Sequence, residues 1–486
     1  MAHASNTINE RKEYLVDPIL YWNDVLLEAD RTTHTTGAPN EAGSRGPAGA
    51  SRSFAIVSLA MHDAYYGINP GHPCYLGNRL PMPPDGADTA AAIAAAAHST
   101  LSALYPAQKT FFDSKHLAAG LVSGKSSTDG HDFGQRVAAE MLALRKNDPS
   151  VSDDGYSISA APGRWRQDPN NSPQGTHAPF YGARSHLFAA TRRHHLDPPP
   201  QLGSAEYDAA VREVRAKGIA PELMATLPDD LAKNRRTPAE TAIGIFWAYD
   251  GVKGLGTPPR LYNQIVRKIA QAQGNDVGKN ARLFGLVNAA LGDAGILAWN
   301  DKFFYEVWRP VLGVREHDSI SGASDGTDSI GDPFWLPLGA PNTNNPGSKN
   351  FTPPFPAYPS GHSTFGAAML QTVRQFYGQG RPGPDNLCDG LEFVSDELNG
   401  ISTDPDGEVR TRVVRKFPGG LWHMILENAR SRVYLGVHWV FDTYVVDKDG
   451  NPDLGRNVGG VRLGMDIAND IAEHGLIAQN SAGPDA

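Results

Sequence analysis

Apolar residues recur every three or four positions in several long segments of this chain, which is the spacing of a helix with a buried face. The segments with this spacing are Phe54–Tyr66, Ala90–Leu104, Phe133–Arg145, Ala239–Tyr249, Ala281–Ala298, Thr364–Tyr377 and Leu421–Leu435. Strict alternation of apolar and polar residues, the pattern of a half-buried strand, is rare. The pattern predicts a mainly α protein with two packed helical, four-helix-type bundles and long loops.

Glycine and proline, with 51 and 37 of the 486 residues, are concentrated between these segments and mark the loops. A chain of this length exceeds the usual size of a single core, so two units are expected. The residues Thr237-Pro238-Ala239-Glu240 predict a capping box with proline at the first helical position. We place the start of the second bundle there, so the N-terminal bundle is predicted over residues 1–236 and the C-terminal bundle over 237–486.

Charge and cysteine content limit the function classes. The net charge of −9 argues against a nucleic-acid partner, because proteins that bind nucleic acids usually carry a basic excess. The only cysteines are Cys74 and Cys388, so neither a disulfide framework nor a CxxC metal site is expected. No signal peptide or membrane span is visible, and the longest apolar run is Ala90–Ala97. We expect a soluble protein without a membrane partner, cytoplasmic or secreted by an unrecognised route. Its oligomeric state is left open.

Three segments of the second half carry candidate chemistry, and the first runs from Lys302 to Pro310. Lys302 and Arg309 are seven residues apart, so on one helix they would point the same way and place two cations at one site. Taken alone, such a pair is most often solvated.

The second segment is Pro359-Ser360-Gly361-His362-Ser363. Ser360 is expected to cap a helix, and Gly361 allows a ligand to approach the backbone closely. The first amides of that helix would be unpaired donors at the positive end of its dipole, which makes an anion cradle with His362 at its edge. The alternative is an ordinary capped helix in which His362 packs locally.

The third segment contains Arg432, Gly436, His438 and Asp442. Gly436 is expected to end a helix and to leave Arg432 in its last turn. His438 and Asp442 are expected four residues apart on the helix that follows, a spacing that suits a ligating imidazole oriented by a carboxylate. It is equally compatible with a surface ion pair.

Other ionisable residues have competing interpretations. Asp250 falls on the apolar stripe of the Ala239–Tyr249 segment, and is either a solvated helix end or a carboxylate with a partner. His62 is expected to be a core residue beside Asp63. The His194-His195 pair lacks a third ligand, so no second metal site is assigned.

In combination, the order K-x6-RP, PSGH and SR-x5-H-x3-D resembles the signature shared by vanadium haloperoxidases and type 2 phosphatidic acid phosphatases. The chemistry agrees, because a tetrahedral oxyanion is well held by guanidinium groups, an ammonium group and amides at a helix start. Outside this signature the chain resembles the fungal vanadium chloroperoxidases over nearly its whole length. Examples are the stretches His62–Tyr65, Trp247–Gly251, Gly256–Arg267 and Gly331–Leu336.

The resemblance implies a vanadate site in the second bundle. The residues that would hold the vanadate oxygens are Lys302, Arg309, Arg432, Ser360 and Gly361. His438 would ligate the metal, His362 would transfer protons, and Lys302 would also act in catalysis by donating to bound peroxide. Asp250 would pair with Arg432, and Asp442 would orient His438.

The resemblance also implies a halide pocket. Trp299 and Phe355 would form its aromatic wall, and phenylalanine at position 355 is the chloroperoxidase-like choice. Ser363 would lie beside them, at a position where the fungal enzymes have alanine. Its hydroxyl is expected to hydrogen-bond His362, which makes bromide turnover more secure than chloride turnover at ordinary pH.

The activity implied is the oxidation of chloride, bromide or iodide by hydrogen peroxide to hypohalous acid, which halogenates small organic acceptors. Vanadate would be the cofactor and act as a Lewis acid, with no need for haem. Two alternatives stay open. One is a soluble acid phosphatase that uses the same pocket with His438 as nucleophile, and the other is a non-catalytic oxyanion-binding protein.

Overall fold

The computed structural model describes residues 16–120, 123–149, 155–317, 331–448 and 451–478. Its longer helices are α1 (Pro18–Thr36), α2 (Gly46–Ile68), α3 (Thr89–Leu104), α4 (Lys109–Ala118), α5 (Lys125–Leu144), α6 (Ala205–Lys217), α7 (Pro238–Phe246), α8 (Pro258–Ala272), α9 (Val277–Tyr305), α10 (Gly361–Phe376), α11 (Gly420–Tyr434) and α12 (Gly460–His474). Within these ranges the extended backbone forms isolated β-bridges rather than strands. The predicted mainly α class is confirmed.

The helices form two packed bundles that meet at α9. In the first bundle α2 packs against α3, and α3 against α5. In the second, α10 packs against α11 and α12, while α9 packs on both α2 and α10. One continuous hydrophobic core therefore includes Phe54 of α2, Leu291 of α9 and Met369 of α10. The boundary between residues 236 and 237 stays a prediction.

Helix α9 is the central element of the fold. Its N-cap is Asp276, whose side chain accepts a hydrogen bond from the Lys279 amide at 2.8 Å. Among the described residues, α9 is the one helix long and apolar enough to cross a membrane, and 89% of its most apolar window is buried inside the fold. Such burial is typical of a core helix of a soluble protein.

The predicted start of α7 is confirmed. The Thr237 side chain accepts from the Glu240 amide, and the Glu240 side chain accepts from the Thr237 amide, which completes the capping box. The helix ends at Phe246, three residues before the predicted end at Tyr249. Asp250 therefore lies in the loop that follows and not on a helical stripe.

Close contact between α10 and α12 positions the start of α10. A Cβ atom added to Gly464 of α12 would lie 2.5 Å from the Thr364 carbonyl oxygen and 2.6 Å from the Ala368 amide nitrogen. Such distances are below van der Waals contact with backbone atoms, so only glycine allows this approach. The two helices are thereby held together within one turn of the Ser360-Gly361-His362 segment.

Candidate active site

Three buried basic side chains converge in the second bundle, and each comes from the end of a helix or the turn beside it. Lys302 lies in the last turn of α9, Arg309 precedes the next short helix, and Arg432 lies in the last turn of α11. Their exposed fractions are 0%, 1% and 0%, respectively. Charged side chains are rarely buried so completely unless they are paired or bind an ion.

Lys302 and Arg309 hold the segment that leads into α10. The oxygens that accept hydrogen bonds from Lys302 Nζ are the carbonyls of Pro356, Ala357 and Pro359, at 2.9, 3.1 and 2.5 Å. Arg309 donates from Nε to the Phe355 carbonyl at 2.9 Å and from Nη1 to the Val437 carbonyl at 2.8 Å. The two cations and the start of α10 therefore form one unit.

His438 is fixed from both sides of its ring. Arg309 Nη1 donates to His438 Nε2 at 2.8 Å, and His438 Nδ1 lies 2.8 Å from Asp442 Oδ2. Because Nε2 accepts from a guanidinium group, the ring proton is on Nδ1 and is donated to the carboxylate. The same Asp442 oxygen accepts from the Trp439 amide at 3.0 Å. Nε2 is thus the nitrogen with a lone pair available for a metal or an oxyanion centre.

Asp250 pairs with Arg432, as the resemblance implied. Arg432 Nη1 and Nη2 donate to the two carboxylate oxygens at 3.1 and 2.8 Å. The Asp250 side chain is 5% exposed, so the alternative of a solvated helix end is wrong. A turn with positive φ at Tyr249 and Gly251 (44° and 78°) brings the carboxylate inward.

His362 lies in the first turn of α10 and is held by its backbone and its ring. Its Nε2 atom donates to the Ala248 carbonyl at 2.5 Å and lies 4.0 Å from Asp250 Oδ1. Its own carbonyl accepts from the Tyr262 hydroxyl at 3.1 Å and from Asn428 Nδ2 at 2.9 Å. With Nε2 protonated, Nδ1 is the nitrogen able to accept a proton.

Burial, and then the mutual proximity of the basic groups, disfavours their charged forms. Burial, followed by nearby Arg432, lowers the pKa of His362 to about 3. Burial, followed by nearby Arg309, holds the pKa values of both Lys302 and His438 well below their usual ranges. The pKa of Arg309 falls to about 9, again mainly through burial. An anion placed among these groups would reverse these shifts, since opposite charge favours the cationic forms.

The donor set fits a tetrahedral oxyanion. Arg309 Nη2 and Arg432 Nε are buried atoms with no hydrogen-bond partner among the described residues. Leaving such a donor unsatisfied costs about 1–3 kcal/mol, so an acceptor is expected between them. Ser360 caps α10 as predicted, by accepting from the Ser363 amide at 3.4 Å, and places the first amides of the helix at this point.

A cavity of about 430 Å³ leads to these groups. Arg432, His438, Gly361 and His362 lie along its lining, whereas Lys302, Arg309 and Ser360 lie outside that lining. The predicted aromatic wall is present, with the rings of Trp299 and Phe355 at 4.9 Å between centroids. Lys302 Nζ and the Arg309 guanidinium lie 5.1 and 5.0 Å from the centre of the Phe355 ring.

Comparison with known proteins shows to which family the chain belongs. The profile of the vanadium chloroperoxidase N-terminal domain matches residues 6–186, and that of the second helical-bundle domain of vanadium chloroperoxidase (VCPO) matches residues 282–465. A vanadium chloroperoxidase of Curvularia inaequalis is 38% identical, over 96% of this chain and 92% of the relative. The chain belongs to the vanadium chloroperoxidase family.

Solved structures of bacterial vanadium-dependent haloperoxidases share the fold. The crystal structure of a bacterial iodoperoxidase superposes with a TM-score of 0.66 at 19% identity, and covers 94% of this chain and 96% of that chain. A holo-type bacterial chloroperoxidase gives a TM-score of 0.59 at 17% identity, with coverage of 90% and 94%. At these identities the likeness concerns the fold alone.

Two local predictions about the vanadium chloroperoxidase signature were wrong in detail. Lys302 and Arg309 do not share a helix, because α9 ends at Tyr305 and Glu306 adopts a left-handed conformation with φ of 52°. His438 and Asp442 do not share a helix either, since His438 precedes the short helix that contains Asp442. In both cases the chain turns back so that the two side chains still reach one site.

Ser363 departs from its predicted place in the halide pocket. Its side chain is fully buried and is absent from the cavity lining. Its Cβ atom would lie 2.9 Å from a Cβ added to Gly460, so the side chain faces α12. The hydroxyl has no hydrogen-bond partner among the described residues, and the expected bond to His362 is therefore not formed. The helical position explains this result, because consecutive residues of α10 point about 100° apart.

The structure adds residues that sequence reasoning missed. His177 lines the cavity, with its ring centroid 6.0 Å from those of both Trp299 and Phe355. His34 and Arg45 line the same cavity. His177 and Arg45 are polar residues near glycine or proline, a sequence signal that is too common to indicate a site.

His62 is a core residue as expected, and His194 and His195 do not share a partner. His62 is buried and bonded to Asp63 at 2.8 Å. His194 and His195 bond to different carboxylates, those of Asp470 and Asp301, at 2.9 and 2.7 Å. The described residues contain no group of three or more histidine, cysteine or acidic side chains arranged to hold a metal ion. This result does not bear on vanadate, which is held mainly through its oxygens.

Proposed function

We propose that the chain is a vanadium-dependent haloperoxidase that uses hydrogen peroxide to oxidise halide to hypohalous acid. The observation that carries the proposal is the convergence of Lys302, Arg309 and Arg432 on His438, with two of their buried donors left without an acceptor. Membership of the vanadium chloroperoxidase family supports it.

Vanadate would be held by the same residues. Lys302, Arg309 and Arg432 supply three positive charges, and the α10 start at Ser360 and Gly361 supplies backbone donors. Bound vanadate would supply a Lewis-acid centre that activates peroxide while vanadium keeps its oxidation state, so the proposal requires no haem.

His438 would present Nε2 as the metal ligand. Asp442 keeps the other ring proton on Nδ1, which is the arrangement that orients a ligating histidine and raises its basicity. Arg309 Nη1 occupies Nε2 in this structure, at 2.8 Å, and would have to release it to make the lone pair available.

His362 would accept the proton that peroxide loses. Its Nε2 proton is already committed to the Ala248 carbonyl, so Nδ1 is the base. Burial and Arg432 lower its pKa to about 3 in this structure, too low for a useful base at neutral pH. An oxyanion that neutralises Arg432 would raise that pKa toward the working range.

The halide would bind beside the ring wall of Trp299 and Phe355. Both rings are held close to Lys302, at 5.7 and 5.1 Å from Nζ, so positive charge lies behind the aromatic surface. That combination suits a large, weakly hydrated anion, which gains from charge without needing many hydrogen bonds. Lys302 Nζ donates to three backbone carbonyls in this structure, so it would act on peroxide through its positive charge rather than through a free donor.

Neither the compared proteins nor a feature of this site favours the phosphatase alternative. The non-catalytic alternative is weakened by His362, because anion binding alone does not need a base on the cavity wall. Small organic molecules would accept the halogen, and no nucleic-acid or membrane partner is proposed.

Vanadate-dependent bromination of monochlorodimedone tests the proposal. The vanadate-free protein should be inactive, addition of vanadate should restore bromination in the presence of bromide and peroxide, and His438→Ala should abolish it. His186→Ala, which changes a half-exposed histidine outside the cavity, is the control and should match the wild type. Hydrolysis of a phosphate ester that vanadate inhibits, without bromination, would support the phosphatase instead.

A further inference from the structure

The cavity is larger than the proposed halide oxidation needs. Its volume is about 430 Å³, whereas a water molecule occupies about 30 Å³ in the liquid, and peroxide or a halide ion is of similar size. Cavities of roughly 300–1,000 Å³ are those that hold small organic ligands. The cavity therefore has room for a small organic molecule in addition to the small reactants.

The residues that line the cavity indicate what kind of molecule would fit it. Much of it is apolar, with Pro47, Pro258, Pro353, Pro354 and Phe351. Proline and aromatic surfaces pack well on a flat ring, so the lining favours an aromatic molecule over a flexible polar one. The inner end is marked by buried His438 and the outer end by exposed Ala42.

Arg45 is a half-buried cation at this outer end. It lines the cavity in the turn between a short helix and α2. No ion pair or side-chain hydrogen bond joins its guanidinium to any described residue, whereas Arg432 in the same cavity is paired with Asp250. A guanidinium fork at the rim of an apolar cavity is suited to bind a carboxylate.

One wall connects Arg45 with the reacting end. Next to Arg45, a Cβ added to Gly46 would lie 2.4 Å from His177 Nε2, so the imidazole rests directly on the backbone there. His177 in turn lies 6.0 Å from Trp299 and Phe355 by ring centroids. An aromatic ring along this wall would have its acidic end at Arg45 and its other end toward the halide wall.

We propose that the cavity binds the organic acceptor of halogenation, that this acceptor is an electron-rich aromatic carboxylate, and that Arg45 holds its carboxylate. This inference rests on the proposed haloperoxidase function. The hypohalous acid made in the site transfers its halogen to a ring carbon: the carbon–halogen bond forms, and the halogen–oxygen and carbon–hydrogen bonds break. The released proton and hydroxide form water. The ring is oxidised by two electrons and the halogen is reduced.

A competition between two acceptors tests it. The pair is 4-hydroxybenzoate, which carries the carboxylate, and 4-hydroxybenzamide, which is its neutral counterpart. In the wild type with bromide and peroxide, bromination of the acid over the amide should exceed the ratio given by free hypobromous acid by about 10-fold or more. Arg45→Met should reduce that preference to the ratio of the free reagent, and Arg45→Lys should keep part of it.

Matched controls separate this inference from the proposed function. Arg79→Met also removes one positive charge, but from an exposed residue outside the cavity lining, so it should keep the preference. Bromide-dependent consumption of peroxide should be the same in all variants. If peroxide is consumed normally and the wild type already gives the free-reagent ratio, or Arg45→Met changes nothing, the inference is overturned while the function stands.

Binding gives a readout that does not depend on turnover. Equilibrium dialysis of 4-hydroxybenzoate against the protein, without peroxide, should show binding to the wild type that is at least 10-fold weaker in Arg45→Met. If no halide is oxidised at all, the proposed function fails, and this experiment still decides the role of Arg45. Equal binding to both proteins would contradict it.

Discussion

At the scale of single residues, the ion pair between Asp250 and Arg432 stabilises the folded protein when no anion is bound at the site. Both side chains are buried, at 5% and 1% exposure, and both oxygens of the carboxylate accept from the guanidinium group. Removal of one partner leaves an uncompensated buried charge, which typically costs 3–5 kcal/mol. We expect Asp250→Ala to lower the free energy of unfolding of the vanadate-free protein by about this amount, measured by denaturant unfolding.

A more exposed pair provides the comparison. Arg462 and Asp466 are also joined at 2.9 Å, but their side chains are 34% and 20% exposed. Exposed pairs contribute about 1 kcal/mol or less, so Asp466→Ala should have a small effect. If Asp250→Ala lowered the free energy of unfolding as little as Asp466→Ala does, water or another group would be replacing the Asp250 carboxylate.

Single residues also show how far the sequence could be interpreted. The order of the motifs identified Lys302, Arg309, Arg432 and His438 as one group, and the structure brings them together. The sequence placed Arg309 in the right group of residues but wrongly on the same helix as Lys302. The direction of its side chain depends on a turn at Glu306 that the apolar periodicity does not indicate. His177 had no usable signal, since its partners Trp299 and Phe355 are more than a hundred residues away in the chain.

At the scale of elements, the contact between α10 and α12 controls where the anion cradle begins. Gly464 approaches the backbone of α10 so closely that a methyl group would have to move one of the helices. Overpacking of this kind typically costs 1–3 kcal/mol. Gly464→Ala should therefore lower the stability by about that amount and weaken vanadate binding, because α10 carries Ser360 and His362. Unfolding experiments and equilibrium dialysis of vanadate would measure the two effects.

Gly71→Ala is the matched substitution for this test. The nearest atom to a Cβ there is Tyr66 Cε1 at 3.7 Å, which is ordinary contact. Gly71→Ala should change neither the stability of the protein nor its affinity for vanadate. Unaltered vanadate binding in Gly464→Ala, despite lost stability, would show that the start of α10 is held by other contacts.

Three helices of the first bundle meet at a cluster of histidines. His98 of α3, His116 of α4 and His131 of α5 have ring centroids 4.8 and 5.3 Å apart in sequence order. Burial, with further contributions from His98 and His131, lowers the pKa of His116 to about 4, and Asp113 opposes the shift. The folded protein thus binds fewer protons at His116 than the unfolded chain does between about pH 6.5 and 4.

The unfolding free energy should consequently fall as the pH is lowered through that window, and this contribution should level off below about pH 4. After allowance for partial exposure, it amounts to about 1–2 kcal/mol. His116→Gln should remove this part of the pH dependence in urea unfolding measured from pH 7.5 to 4.5. The same change at half-exposed His423 should leave it in place. Parallel pH profiles for wild type and His116→Gln would contradict the assignment.

Element boundaries were less predictable than element identity. The apolar periodicity of Ala281–Ala298 located the centre of α9, but the helix extends from Val277 to Tyr305 across polar residues such as Lys279 and Asp301, which interrupt the apolar pattern. By contrast, α7 stops before Tyr249, since a residue with positive φ cannot continue a helix. Periodicity reports burial, and it therefore misses polar helix ends and overruns into buried loops.

At the scale of the whole molecule, the buried site is positively charged although the chain as a whole is negatively charged. The chain carries −9, yet the buried ionic cluster of the site contains three basic side chains, Lys302, Arg309 and Arg432, against the two carboxylates Asp250 and Asp442. Gathering like charges away from water lowers the stability of the empty protein, as the low pKa values of Lys302 and Arg309 indicate. Folding therefore maintains a local positive potential that an anion would relieve.

Vanadate should stabilise the folded protein by an amount fixed by its own affinity. A ligand that binds only the folded state adds about 2.7 kcal/mol at a concentration of 100 times its Kd. We expect the unfolding free energy to rise by that amount when vanadate is added at 100 times the Kd obtained by dialysis. Its removal should reverse the gain, and phosphate, another tetrahedral oxyanion, should compete with it.

His438→Ala distinguishes binding at this site from a general effect of anions. The variant keeps the three cations but lacks the nitrogen that would ligate the metal, so it should bind phosphate and vanadate with similar, weak affinity. The wild type should prefer vanadate, because only vanadate gains a bond to Nε2. Equal stabilisation of both proteins by vanadate would mean that His438 is not its ligand, and the preference between the two oxyanions would then have to arise from the cations alone.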